Sequence, residues 1–211
     1  MAIKLRLFLK LLILYCQKIL DVIEHLTSLD PKKVSEAYAE VGRECMDKGL
    51  EKDVINFYQK AILLNPEDEN AHFQLGRIYM RTKRWDEALK SYERSIELGL
   101  RNHEIYYRMG LVHDHFNHSD EALKCYKRAI KLDSNHAEYH FRLGLIYGNK
   151  KMVNKAINSY EKAISINPQD PKYYYSLGLA HDSKGMHQKA VDFFRKAVEL
   201  QEKEAAVVDD E

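Results

Sequence analysis

Gly42, Gly76, Gly110, Gly144 and Gly178 stand thirty-four residues apart without a slip, and this ladder limits the fold more than any other feature of the chain. Twelve residues beyond each glycine comes Val54, Ala88, Ala122, Ala156 or Ala190. Four further on comes a ring, in the order Tyr58, Tyr92, Tyr126, Tyr160, Phe194, and three beyond that a small residue, Ala61, Ser95, Ala129, Ala163, Ala197. A pattern that holds register through five periods predicts a row of like units, not a single globular core. Small residues at these spacings predict two helices per unit that cross at the small side chains, with the aromatics filling the wider gaps between units. One helix pair cannot bury its apolar face alone, so stability must come from stacking on neighbours.

In this register the chain resembles the tetratricopeptide repeat (TPR) family, whose mark is a bulky ring, Leu-Gly, Tyr, Ala, an aromatic, Ala and Pro in the same period. The resemblance covers about residues 35–200. It implies an all-α, right-handed superhelical solenoid of five helix pairs with a concave groove, preceded by an N-terminal amphipathic helix. The pairs are expected at 34–47 and 51–63, 69–82 and 85–97, 103–116 and 119–131, 137–150 and 153–165, and 171–184 and 187–204. Asn65-Pro66 and Asn167-Pro168 close their second helices as the family does, whereas Leu100 and Ser134 hold that proline slot in the second and third units. Residues 205–211 read as a frayed acidic tail.

Residues 1–34 do not continue the ladder, because one more period upstream puts Phe8 at the glycine slot. They form a degenerate repeat or a separate amphipathic helix. On a helical wheel Leu5, Phe8, Leu12, Tyr15, Ile19 and Ile23 make an apolar face opposite Lys4, Arg6, Lys10 and Lys18. The longest uncharged run, 11–17, is too short for a bilayer span, which needs about 20 apolar residues. Three fates are open for this segment: a cap on the first unit, a helix lying on a membrane surface, or a peptide docked into another copy of the chain.

Net charge is +1 with 31% charged residues, so no global field draws nucleic acid, and none is expected as a partner. Cys16, Cys45 and Cys125 are scattered and odd in number, which reads as reduced thiols in a cytosol.

In the family the fifth, sixth, ninth and thirteenth positions of each unit line the groove. By that resemblance Phe73, Tyr107, Phe141 and Tyr175 form an aromatic stripe, and Arg77, Arg81, Arg108 and Arg142 stand beside it. Rings and guanidinium groups together suit a peptide with apolar anchors and carboxylates. The competing reading is that rings at helical spacing belong to the core.

Catalysis is not expected, since the chain has no phosphate loop, G-x-S-x-G or H-E-x-x-H. His113, Asp114, His115 and His118 resemble metal ligands, but residues two apart on a helix diverge, so neither a metal nor another cofactor is expected. His72, His140 and His181 read as packing residues in ring slots. Within the family the likeness is to small bacterial scaffolds that assemble with copies of themselves on the cytoplasmic side of an internal membrane. A second class stays open: a monomeric adaptor that binds a client protein's peptide.

Overall fold

A computed structural model of the chain describes Lys18, residues 30–47 and residues 51–209. Among these residues all regular structure is helical: α1 (Pro31–Asp47), α2 (Glu51–Leu64), α3 (Glu69–Arg81), α4 (Trp85–Glu97), α5 (His103–His115), α6 (Ser119–Leu132), α7 (Ala137–Asn149), α8 (Val153–Ile166), α9 (Pro171–Asp182) and α10 (His187–Asp209). The five expected helix pairs are therefore present. Two ends differ. The first pair begins earlier, because the Asp30 carboxylate accepts from the Lys32 N–H at 3.1 Å and Pro31 starts the helix. At the other end α10 continues to Asp209, through most of the stretch expected to fray.

The described residues fall into two compact units, one ending at Leu100 and the other beginning at Arg101. In the first, α1 pairs with α2, α3 with α4, and α2 packs on α3. In the second, α5 pairs with α6, α7 with α8 and α9 with α10, while α6 packs on α7 and α8 on α9.

The ladder has a direct steric cause. A Cβ built on Gly76, Gly110, Gly144 or Gly178 would lie 2.5, 2.4, 2.5 or 2.6 Å from a ring carbon of Tyr92, Tyr126, Tyr160 or Phe194. In each case the ring stands sixteen residues later, on the second helix of the same pair. The aromatics therefore sit on their own unit's glycine, and Tyr126 and Tyr160 also share core clusters with Ile146 and with Tyr173 and Leu177 of the next pair, as expected. At Gly42 the fit is looser, with Tyr58 at 3.1 Å. The second small slot is just as tight: Ala61, Ser95, Ala129 and Ala163 are fully buried. Ser95 adds a hydrogen bond to the Glu69 carbonyl at 2.6 Å, and Ser35 one to Ala61 at 2.9 Å.

Joints between pairs are tied by side chains at the fourth slot. His72 bonds the Pro66 carbonyl (3.1 Å), His140 that of Ser134 (3.0 Å) and Tyr174 that of Pro168 (3.1 Å). The turn inside each pair from the second onward uses one left-handed residue, Lys83, Asn117, Lys151 or Gly185, with φ between 58° and 73°.

Burial holds the imidazoles of His72 and His140 below their ordinary value, against the opposing pull of their carbonyl partners. The unfolded chain then binds these protons more readily than the folded one, so stability is lost as pH falls through about 6.5. Urea midpoints measured from neutral to mildly acid pH are expected to decline. His140→Gln, which keeps a donor for the Ser134 carbonyl, is expected to flatten that slope; an unchanged slope would show that the imidazole is not responsible.

Candidate functional site

The fifth-slot rings do not form the open stripe expected of them. Each leans at about 45° on the ring that covers its own unit's glycine, with centroids 5.9 Å apart for Phe73–Tyr92, 6.0 Å for Tyr107–Tyr126, 5.8 Å for Phe141–Tyr160 and 5.5 Å for Tyr175–Phe194. Phe73 and Phe141 are core residues and Tyr107 is half-buried. In the second unit the next pair closes over the stripe: Tyr139 lies 4.7 Å from Tyr107, and Tyr173 lies 5.0 Å from Phe141. Tyr175, on the last described pair, stays 54% exposed. Burial also pushes the Tyr107 hydroxyl above its ordinary value.

The arginines are partnered as well. Arg77 donates to Gln74 (2.8 Å), Arg108 makes two bonds to Glu104 (2.6 and 2.8 Å), and Arg142 donates to Glu138 (2.7 Å). Glu138 also meets Lys172 at 3.0 Å, and Lys172 meets Asp170 at 3.1 Å. Charge along this wall of the second unit is thus locally balanced, with no row of open cations. Arg81 is exposed at the end of α3.

The second unit does contain an open recess. A cleft of about 540 Å³ lies between α7, α8 and α9, with Leu145, Val153, Ala156 and Leu179 as apolar wall and Asn149, Lys151 and Ser176 as polar rim. Leu179 is 48% exposed there. Leu145, Asn149, Ser176 and Leu179 occupy the sixth, ninth and thirteenth positions of the fourth and fifth units. The family's inward register therefore does point at a concavity, although the residues that line it were not among those singled out. An apolar wall with a few convergent polar groups is what a peptide or helix face needs to dock.

The His113–His118 group does not converge. The Asp114 carboxylate, raised by burial, accepts a short hydrogen bond from the Tyr126 hydroxyl, and the rings of His113 and His118 are 6.1 Å apart. His181 stacks on Phe193 at 5.2 Å, as a packing residue would. Leu5, Phe8, Leu12, Tyr15, Ile19 and Ile23 lie outside the described residues, and so does the choice among cap, membrane helix and docked segment. None of the described helices is long and apolar enough to cross a membrane.

Two tetratricopeptide repeat profiles match residues 67–135 and 171–204, and a TPR repeat profile matches residues 153–185. No curated protein matches the sequence. Among solved structures, a crystal structure of MamA is 32% identical over 79% of this chain and 97% of its own, with a TM-score of 0.74. A fragment of MamA from Desulfovibrio magneticus RS-1 is 21% identical over 80% of this chain and 96% of its own, with a TM-score of 0.75. YrrB, described as a TPR protein with an unusual peptide-binding site, is 23% identical over 78% of this chain and 85% of its own, with a TM-score of 0.72. At these lower identities the likeness is one of fold.

Proposed function

Because the chain belongs to the tetratricopeptide repeat family, we propose that it is a non-catalytic scaffold that assembles with copies of itself, the N-terminal segment of one copy seated in the cleft of the next. The observation that carries this reading is the cleft between α7, α8 and α9, whose apolar wall includes a half-exposed leucine. The segment at 1–29 has the complementary character: an apolar face of six large side chains that water would not tolerate bare. A contact between unlike surfaces is heterologous and grows into rings or open arrays.

The likeness to MamA, a magnetosome-associated protein, extends the reading to a peripheral coat on the cytoplasmic face of a magnetosome-type membrane, with other proteins recruited by the faces left open. Sedimentation of the full chain against a chain trimmed before Asp30 tests the assembly. The cut is placed there because Val34 and Ser35 are already buried in α1. Large species that collapse to a monomer on trimming support the reading. Large species that persist overturn it, and a full chain that is monomeric and binds a client peptide in the cleft makes the protein an adaptor instead. Flotation of the full and trimmed chains with liposomes reports separately on the membrane.

A further inference from the structure

Three donors that are far apart in sequence meet where α5 begins and α6 hands over to α7. His103 is the first residue of α5, Asp133 follows the last residue of α6, and His136 precedes the first residue of α7. His136 Nε2 stands 3.0 Å from Asp133 Oδ2 and His103 Nε2 stands 3.8 Å from the same oxygen. One ligand atom from each lies within 4.8 Å of the other two. We propose that His103, Asp133 and His136 bind a single first-row divalent transition ion of the zinc class.

The spacing suits such an ion. Bonds of about 2.0–2.1 Å in a tetrahedral shell put donors about 3.3 Å apart. The two measured separations bracket that value, and small side-chain rotations close the rest. The remaining atoms of two of the ligands are already held. Asp133 Oδ1 accepts from the Asn135 N–H at 2.9 Å, which leaves Oδ2 for the ion. His103 Nδ1 meets the Tyr139 hydroxyl at 2.7 Å, so its Nδ1–H can donate there while Nε2 coordinates. A second ring nitrogen hydrogen-bonded to an oxygen acceptor is the outer support that ligating histidines use. Two imidazoles and one carboxylate favour zinc, cobalt, nickel or copper over magnesium or calcium, which take oxygen.

The repeat supplies an independent sign. At the equivalent position before the first helix of other pairs stand Asp68, Asn102 and Asp170, and each caps its helix with its side chain. His136 makes no such cap. At this one joint the capping residue is replaced by a histidine that faces two other donors, its ring stacked 4.6 Å from those of His103 and Tyr139. Three protein donors leave a fourth position for water or for a donor from another molecule. The ion would clamp the third helix pair to the fourth.

The test uses the full chain, free of any purification tag, titrated with zinc by calorimetry and with cobalt by its visible ligand-field bands at about pH 7.5. One equivalent of zinc is expected, with cobalt bands typical of a low-coordinate nitrogen and oxygen site. His136→Asn installs the cap used at another joint and so keeps the fold. It is expected to weaken zinc at least thirtyfold, as is His103→Ala. Tyr139→Phe is expected to weaken it about tenfold. His115→Ala with His118→Ala, outside the cluster, is expected to leave it unchanged. A full chain that takes up no zinc, or His136→Asn and His103→Ala chains that bind as the parent does, would overturn the site.

Discussion

Gly110→Leu is expected to destabilise the chain by about 3 kcal/mol or more, the upper end of what overpacking costs in a closed core. Even the first carbon of a side chain at Gly110 would come within 2.4 Å of Tyr126, and this ring has no exposed surface. The ring cannot swing aside, because Tyr107 leans on one face of it and its hydroxyl is bonded to Asp114. Gly110→Ala is expected to destabilise as well, against the gain of about 0.5–1 kcal/mol that alanine normally brings to a helix interior. Gly42→Ala is the internal control. There the ring is 3.1 Å away, so a slight shift of Tyr58 suffices and the propensity gain remains. Urea denaturation of the three variants gives the ranking. Equal costs at Gly42 and Gly110 would show that ring contact is not what requires glycine.

Leu179→Arg is expected to abolish assembly while leaving the melting temperature within a degree or two of the parent. The side chain is 48% exposed, so its loss opens no cavity. An arginine there places an unpaired cation on the apolar wall of the cleft and faces the cationic N-terminal segment with like charge. Hot-spot losses of about 2–4 kcal/mol correspond to a rise in dissociation constant of roughly thirty- to a thousandfold. Sedimentation across a concentration range reads the change. Assemblies of undiminished size would place the contact elsewhere on the chain and remove the cleft from the proposal.

The helix pairs were legible because small and aromatic side chains at fixed offsets impose one register on five successive segments. What each ring touches was not legible. Periodicity gives a face but not the partner, so Phe73 and Phe141 pass for groove residues until the ring sixteen positions after each glycine is seen to occupy the space beside them. Tyr175, on the last described pair, keeps 54% of its surface exposed, a consequence of position that no local motif carries. Arg108 and Arg142 looked available to a ligand, although Glu104 and Glu138 four residues earlier were a visible sign that each would be paired along its own helix. The His103, Asp133 and His136 group was hidden by sequence separation. Its one trace in the sequence was a histidine at a joint where Asp or Asn recurs.

The contact between glycine and ring is internal to a single period, and this bears on how such a chain can be copied. A duplication thirty-four residues long carries the notch and the wedge together, so the new module arrives already closed on itself. Had the ring belonged to the neighbouring period, each duplication would have created an unmatched half at the seam, to be mended by later substitutions. A lock complete within one module lets an array lengthen or shorten in a single genetic step.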